Sequence, residues 1–595
     1  MSLMQKAYQT YDAVESAYAG LAMEGFREPL APVSHAVAKA GIEITIDGDG
    51  KFVKAVGLGK FGEKTVIPVT EDSAGRTSAP CAHPLCDYIQ YFDSENEEKY
   101  KLYMEQLDSW LSSPYSHPML MPIYNYVAGR TIVNDLIKAG VVDVCEDGMS
   151  IKDEKIIVRW RVLGIGPESG GCWESRSLQE KFRRYYASLI KDREPVICSI
   201  TGEEAVPAKQ HPKGIAPING NAKLISSNDK SGFTYLGRFL DAAEAVSIGY
   251  EASQKIHNVL KWLITNQGTV MDGRTFLSWN PEMIPLPDLF DTEEGRDDEE
   301  KPLSFPEYRK ALKESLCGGH MDLLEKEAII AVFDAATKGR LSVSYYNETA
   351  ISALTENLFY WKESCCWTNG KNGVQSPSIF NIINYSYGVL RNGKMTVDEG
   401  LKKNLTTRLL ACRTERRPIP LDIVRSIISK CGNLQIYKRD TEWVRYPLLW
   451  IACSVIRKYY IDAFQEEYPM ELEPDKKDRS YQYGRLLAAF EKLEKDTYEE
   501  GQERETNALR LQSMFVKRPL QTAAAISEKL NIAYMKKLSK GSRIYYETLI
   551  QEIFSNISGL PDGDKDTPLS GTYILGYNLQ KNEFYKKNKQ PANNV

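Results

Sequence analysis

Eight basic side chains lie close together in the C-terminal part of the sequence, where their types and spacing suit the binding of phosphate groups. Glu528 is the single acid among them, although the whole chain has a formal net charge of −5. A basic face on an acidic chain indicates a polyanionic partner, and such contacts ignore base sequence and weaken with salt. A solvated helical face is the alternative. The eight residues are Arg510, Lys517, Arg518, Lys529, Lys536, Lys537, Lys540 and Arg543.

Two loops in the front half of the chain carry donors that could contact bases or phosphates. The first loop, Glu71–Pro80, also contains small residues, which allow a ligand to approach the backbone closely. Its donors are Ser73, Arg76, Thr77 and Ser78. The second loop, Ala208–Asp229, has no acid before its last residue. Its candidate contacts are Lys209, Lys213, Lys223 and Asn228. Ordinary polar surface loops are the alternative for both.

Other patterns lack the context that their chemistry needs. The sequence GLGKFG at Gly57–Gly62 matches a dinucleotide-binding pattern, but strand-like residues follow it instead of a helix, so we expect the glycines to close a hairpin. Cys81, His83 and Cys86 lack the fourth ligand of a zinc site, and we expect buried thiols. No nucleophile elbow, Walker A loop or zinc-protease motif is present. We therefore expect no catalytic residue, no metal and no cofactor.

A hidden catalytic site is the main alternative to this expectation. The stretch Asp288–Glu300 is rich in carboxylates, and a metal-dependent nuclease could use them. A solvated acidic loop explains the same residues more simply.

The composition is that of an ordinary soluble protein. The chain has 595 residues, of which 42% are hydrophobic and 26% are charged. Its 11 cysteines are scattered, which is typical of reduced thiols, and we see neither a signal peptide nor a membrane span. We expect an intracellular protein with several domains and no membrane partner.

The elements that must position these residues change in type along the chain. Alternating apolar and polar residues around Asp47–Gly50 and around Asp272–Gly273 predict β-hairpins in the front half. After Asn347 the pattern is almost wholly helical. We therefore predict an α+β fold, with a strand-rich N-terminal half and an all-α C-terminal half that ends in a helical bundle. The predicted divisions are 1–200, 201–345, 346–469 and 470–595.

Several segments carry a resemblance to a known family. They are TGEEAVPAKQHP (Thr201–Pro212), LISSND (Leu224–Asp229), GRLSVSYYNET (339–349), YGRLLAAFEKLE (Tyr483–Glu494), IYYETLIQEI (Ile544–Ile553) and ILGYNLQKNEFYKK (Ile574–Lys587). In their order and spacing the chain resembles the large subunit of the type I-C CRISPR surveillance complex (Cascade).

The resemblance implies a non-catalytic role in antiviral defence in the prokaryotic cytoplasm. Such a subunit lies beside the subunit that holds the guide RNA handle and contacts the backbone subunits. It reads a protospacer-adjacent motif on duplex DNA, promotes R-loop formation, stabilises the displaced strand and docks a helicase-nuclease, while guide pairing supplies sequence specificity. A purely structural scaffold that never reads the motif is the alternative.

The resemblance also implies which residues read the motif. The family reads it with a small-residue loop after the second N-terminal strand, and that loop corresponds here to 73–78. The commoner family pattern, an Asn flanked by glycines, is replaced by GRTSAPCAHPLC. We therefore assign reading to Arg76 and Thr77, with support from Ser78 and Ser73. Asn228 is the strongest match in the second loop.

Met470 stands where the family begins a second, smaller product from the same gene. The resemblance implies that internal initiation there yields a small subunit, and we expect its copies to hold the displaced single strand through the C-terminal basic residues.

Overall fold

A computed structural model describes most of the chain. The residues described are 2–76, 79–93, 95–146, 150–218, 220–226, 238–240, 242–290, 303–317, 325–337, 339–370, 373–499 and 504–587. The chain divides into two compact units. Unit 1 comprises Met1–Leu286 with Glu327–Thr349, and unit 2 comprises Pro287–Lys326 with Ala350–Val595. The fourfold division predicted from the sequence stays a prediction.

Unit 1 combines two sheets with several helices. Its helices are α1 (Leu3–Tyr18), α2 (Glu71–Gly75), α3 (Glu97–Leu111), α4 (Leu120–Ala128), α5 (Ile132–Lys138), α6 (Arg176–Ile190), α7 (Ala242–Ala245) and α8 (Tyr250–Gln267). Its strands are β1 (His35–Ile46), β2 (Phe52–Gly57), β3 (Glu63–Pro68), β4 (Ile157–Val162), β5 (Gly170–Gly171), β6 (Val196–Ile197), β7 (Glu204–Ala205), β8 (Thr269–Met271), β9 (Arg274–Trp279), β10 (Glu327–Thr337) and β11 (Arg340–Ala350).

The long strand β1 organises the first sheet. It pairs antiparallel with β2 and β3 along one edge and parallel with β4 along the other. The predicted turn at Asp47–Gly50 does connect β1 to β2. The prediction that Gly57–Gly62 closes a hairpin is wrong, because both flanking strands pair with β1 and the glycines form a loop between them. Gly62 has a positive φ of 63° and lies so close to β1 that a Cβ there would be 2.7 Å from the Ala40 carbonyl oxygen.

The second sheet has the strand order β11-β10-β9-β8. Its predicted β8–β9 hairpin is confirmed, with Met271 opposite Arg274. Asp272 and Gly273 both have positive φ, 49° and 72°, which matches the right-handed twist of the strands that they join.

Unit 2 is mainly helical. Its helices are α9 (Phe305–Cys317), α10 (Ile351–Ser364), α11 (Ile379–Tyr387), α12 (Glu399–Thr414), α13 (Leu421–Cys431), α14 (Arg445–Phe464), α15 (Arg479–Lys495), α16 (Asn507–Arg510), α17 (Gln512–Lys517), α18 (Pro519–Ala533), α19 (Lys540–Ser558) and α20 (Thr572–Lys587). Short strands are β12 (Trp367–Thr368), β13 (Val374–Gln375), β14 (Val389–Arg391) and β15 (Lys394–Thr396). The predicted α+β fold class, with strands concentrated in the first half and helices in the second, is confirmed.

Helix α15 is the centre of the C-terminal bundle. It packs along α19 and α20 and is buried over nearly all of its length. Glycines bring α15 and α20 into close contact, because a Cβ at Gly484 would lie 1.9 Å from the Tyr573 carbonyl oxygen and one at Gly576 would lie 2.1 Å from the Tyr481 carbonyl oxygen. Such close packing leaves no room for a larger residue.

In the part of the chain that the structure describes, no helix combines the length and the apolar character needed to span a bilayer.

Candidate nucleic-acid interface

The first predicted loop begins as the short helix α2. Thr70 caps this helix, since its hydroxyl accepts from the Ser73 amide and its own amide donates to the Ser73 hydroxyl. The Ser73 hydroxyl also lies 2.9 Å from His83 Nδ1, and Ser73 is buried. The expectation that Ser73 supports reading stays a prediction. In this conformation its hydroxyl is engaged with Thr70 and His83, so contact with a base would require these hydrogen bonds to open.

Arg76 holds the end of this loop onto a buried carboxylate. Its guanidinium donates two hydrogen bonds to Asp87, of 2.8 and 2.6 Å, and a third to the Cys81 carbonyl oxygen. The rings of Tyr88 and Tyr91 each lie 5.0 Å from the guanidinium carbon. The expectation that Arg76 reads a base stays a prediction. In this conformation, base reading by Arg76 would require the ion pair with Asp87 to open.

The structure brings the second predicted loop onto the first. The backbone amides of Lys209 and Gln210 both donate to Glu71 Oε1, at 2.7 and 3.1 Å. The Lys209 ammonium forms an exposed ion pair with Asp72. Lys213 Nζ donates to the Arg76 carbonyl oxygen at 3.3 Å. Two loops that are more than 130 residues apart in sequence therefore form one surface.

These loops border a cleft of about 390 Å³. Its other walls are the first half of β1 and one side of α8. Gly75 lies against Gln210, since a Cβ at that glycine would be 2.5 Å from Gln210 Oε1. Gly214 and Gly220 also line the cleft, so the backbone is accessible to a ligand. Its volume is in the range of small-molecule sites, roughly 300–1,000 Å³.

The cleft is electropositive. Lys213, Lys223 and Lys261 line it. Burial, together with the neighbouring Lys213, lowers the pKa of Lys223. Burial likewise lowers the pKa of Lys261, whose ammonium is 3.8 Å from Glu28.

The two acids in the wall of the cleft have other basic partners. Glu28 pairs with Lys64, and Glu71 pairs with Arg193 at 2.7 Å. Glu28 and Glu71 therefore neutralise the charges of the cleft lysines only in part, and these lysines can still attract an anionic ligand.

Sequence reasoning missed two histidines in the cleft. His211 Nδ1 lies 2.8 Å from the Ser253 hydroxyl, and the rings of His211 and His257 stack with centroids 5.8 Å apart. Burial lowers the pKa of His211 to about 3 and that of His257 to about 4, so both rings are neutral at pH 7. The spacing of Ser253 and His257 by one helical turn was visible, but nothing in the sequence linked either residue to His211.

The remaining residues predicted to read the motif, Thr77, Ser78 and Asn228, lie outside the described residues.

The C-terminal basic residues form two groups and do not share the single helical face that we predicted. Lys517 and Arg518 lie where α17 meets α18, whereas Lys536 and Lys537 form a 3₁₀ turn beyond the other end of α18. Lys540 and Arg543 follow in the first turn of α19. All six are exposed. Arg543 pairs with Glu547, and no ion pair within the described residues involves the other five. Helix α18 ends at Ala533 and α19 begins at Lys540, and a count of charges cannot reveal this break.

Met470 lies in the connection between α14 and α15. It is half-buried and packs against a small cluster that includes Tyr308, Cys366 and Val374. All helices from α15 onward therefore follow this residue.

Cys81, His83 and Cys86 do not converge on a metal site. Burial raises the pKa of Cys86 to about 12 and lowers that of His83 to about 4. Within the ranges that the structure describes, no group of three or more His, Cys, Asp or Glu side chains could hold a metal ion. Most of the acidic stretch Asp288–Glu300 lies outside those ranges.

Comparisons with known proteins identify the family. A search of the curated proteins finds no match. The profile of the family described as CRISPR-associated protein (Cas_Csd1) matches residues 7–585, which is nearly the whole chain. The match includes the cleft, both loops that border it and the C-terminal basic residues. The chain therefore belongs to the Cas_Csd1 family of CRISPR-associated proteins.

Proposed function

We propose that this CRISPR-associated protein is the large, non-catalytic subunit of a type I-C surveillance complex. In this role unit 1 recognises a protospacer-adjacent motif on duplex DNA, and the basic groups of unit 2 hold the displaced strand. The guide RNA handle-binding subunit, the backbone subunits and a helicase-nuclease are its partners in the prokaryotic cytoplasm. The proposal rests on the family membership and on the convergence of the two predicted loops around one basic cleft.

The two loops that border the cleft support duplex recognition, because one can contact phosphates and the other can contact bases. Lysines near Gly214 and Gly220 can contact phosphates, which positions the duplex without reading it. The end of the α2 loop, where Thr77 and Ser78 follow Arg76, supplies hydroxyl donors that suit base edges. Lys213 joins the two parts, because its ammonium donates to the Arg76 carbonyl oxygen.

The start of α19 supports single-strand binding. Lys536, Lys537, Lys540 and Arg543 lie at its N-terminal end, and its first turn has no acidic residue. Cations at a helix N-terminus are disfavoured by the helix dipole, whereas anions are favoured there. A phosphate backbone would reverse this unfavourable arrangement and could also bind the amides of the first turn that Ser539 leaves uncapped.

Binding measurements on the full-length chain test the proposal. A selection from randomised duplexes identifies the motif, and fluorescence anisotropy then compares motif-bearing with scrambled duplexes. Thr77→Ala should weaken binding of the motif-bearing duplex by roughly 1–3 kcal/mol and reduce the preference for it. Lys213→Ala should weaken binding of both duplexes and lower the salt slope by about 1.

Lys101→Ala is the matched control, because Lys101 is an exposed lysine on α3 that does not line the cleft. A chain that binds all duplexes equally would support the scaffold alternative instead. A motif preference that survives both Thr77→Ala and Lys213→Ala would show that other residues read the motif.

A further inference from the structure

His257, a residue in the wall of the cleft, has a hydrogen-bond acceptor without a partner among the described residues. His257 Nδ1 lies 2.7 Å from the Ser253 carbonyl oxygen, so this nitrogen must carry the proton and donate it. Nε2 of the neutral ring is therefore a lone-pair acceptor. It has no hydrogen-bond partner within the described part of the chain. It is also fully buried in this conformation, so a ligand in the cleft contacts it only when the ring moves. A buried acceptor without a partner destabilises the folded chain, and a bound donor would recover that free energy.

Gln254 places a second unpaired polar group beside this acceptor. The side chain is only 6% exposed, lines the same cleft and makes no hydrogen bond to any described residue. Gln254 and His257 are three positions apart on α8, so their side chains lie on one side of the helix. Together they offer an amide, which both donates and accepts, next to a pure acceptor. That combination matches the edge of a nucleobase.

The rest of the cleft suits the other parts of a nucleotide. Lys213 and Lys223 lie at the loop side and can pair with a phosphate, while the apolar side chains of Ala36, Ala38 and Trp262 form walls against which a ring can pack. The volume of about 390 Å³ is much too small for a duplex. The cleft can therefore receive one nucleotide only when that nucleotide has left its stack.

We propose that the cleft binds a single unstacked nucleotide of the target DNA, with its base edge on His257 and Gln254 and its phosphate on Lys213 and Lys223. The inference rests on the proposed function, because it takes the DNA bound at the two loops as the source of that nucleotide. Unstacking a base costs free energy, and the pocket compensates by satisfying the polar groups of α8. One base captured at this point would also start the opening of the duplex next to the motif.

Fluorescence of 2-aminopurine tests this inference on the full-length chain without guide RNA. A set of motif-bearing duplexes carries 2-aminopurine at one position each, within the motif or up to three base pairs beyond it. Each is measured at protein concentrations that anisotropy shows to be saturating. We expect at least a fivefold increase in emission at one position, and we expect Gln254→Leu and His257→Phe to abolish most of it. Gln267→Leu, on the exposed end of α8 outside the cleft, should leave it intact.

Each other outcome of this experiment tests either the nucleotide site or the proposed function. If the motif-bearing duplex binds but no position brightens, or if both cleft variants brighten as the wild type does, the inference is wrong although the proposed function stands. If the chain shows no motif preference, the proposed function is wrong, and the free monophosphate of 2-aminopurine deoxyriboside then tests the cleft directly. Saturable binding of that probe that Gln254→Leu removes would support a nucleotide site filled from solution, and its absence would overturn the site. Circular dichroism melts confirm that Gln254→Leu, the less disruptive change, remains folded.

Discussion

Arg76 illustrates how a buried carboxylate decides what an arginine can do. Asp87 is completely buried, and two guanidinium hydrogen bonds from Arg76 and the backbone amides of His83 and Tyr88 compensate its charge. The rings of Tyr88 and Tyr91 lie against the guanidinium. An unpaired carboxylate in that position would be costly. From the sequence, the loop and its donor were predictable, since small residues around an arginine are visible. The partner was not, because nothing distinguishes Asp87 from the many surface acids of the chain.

Arg76→Lys should therefore act on stability. A lysine cannot form the bidentate pair or the planar contacts with the two tyrosines, so Asp87 keeps only part of its compensation. We expect the variant to lose about 3 kcal/mol of unfolding free energy, measured by urea denaturation. Asp87→Asn is the matched change on the other side and should cost a similar amount. Unchanged stability of Arg76→Lys, combined with an altered motif preference, would show instead that Arg76 reads a base.

Glu491 makes the stability of the C-terminal bundle depend on pH. Burial alone would raise its pKa, but the ammonium groups of Lys581 and Lys495 and the Tyr577 hydroxyl lower the pKa from 4.5 to about 2. The folded state therefore binds fewer protons than the unfolded state between these values. The stabilisation is complete above about pH 4.5 and is lost as the pH falls toward 2.

Glu491→Gln should remove this pH-dependent part. At pH 7 we expect the variant to unfold with roughly 3 kcal/mol less free energy than the wild type, and the difference should shrink as the pH is lowered to 3. Urea denaturation at pH 7, 4 and 3 measures it. Glu547→Gln, an exposed acid that pairs only with Arg543 within the described residues, should show almost no difference at any pH. If the free energy of unfolding of Glu491→Gln differs from that of the wild type by the same amount from pH 7 to 3, the charge of the Glu491 carboxylate contributes nothing to stability.

Helix α18 divides the basic residues that lie close together in sequence into two separate groups on the surface. Its 15 residues span about 22 Å, so the basic groups at its two ends cannot contact the same phosphate. Hairpins were predictable because Asp-Gly turns require positive φ at defined positions. The end of α18 was not, because the residues from Ala533 to Leu538 carry no glycine or proline to mark a break. The same holds for the cleft, whose walls come from β1, α2, α8 and a loop far away in sequence.

The two ends of α18 should therefore contribute separately to single-strand binding. Replacing Lys536 and Lys537 by Ala should weaken binding to all sequences and reduce the salt slope by roughly 1.4, which is two contacts at about 0.7 each. Replacing Lys517 and Arg518 by Ala should reduce the salt slope as well, and the two reductions should add when all four residues are replaced. The change is measured by titrating oligo-dT at several salt concentrations.

Lys310 and Lys313 provide the control pair for this experiment. Both are exposed on α9, so their replacement by Ala removes the same charge from unit 2. If the control pair lowers the slope as much as Lys536 and Lys537, binding depends on net charge alone and α19 has no special role.

At the scale of the molecule, the connection before α15 marks the start of a group of helices, α15 to α20, that could fold without the rest of the chain. The helices after Met470 have their own core around α15, where Leu486, Phe490 and Leu493 are buried. They also depend on earlier helices. A Cβ at Gly571 would touch Ile428 and Ile456, and the Trp367 indole donates to Asn578 at 3.0 Å. A product that begins at Met470 would therefore fold around α15 but expose the start of α20.

This architecture makes the internal start a sharp prediction. In cells that carry the gene with a C-terminal tag, Met470→Ile should abolish a small tagged product while the full-length chain remains, because isoleucine preserves the packing of this half-buried position. Met514→Ile is the control, since Met514 is an exposed methionine further along the same segment. A small product that persists in Met470→Ile cells would refute internal initiation at this residue. If the product does form, it lacks α13 and α14, which cover the apolar start of α20 in the full chain. The exposed apolar surface then requires a new partner, so the purified product should self-associate or melt at a lower temperature than the full chain.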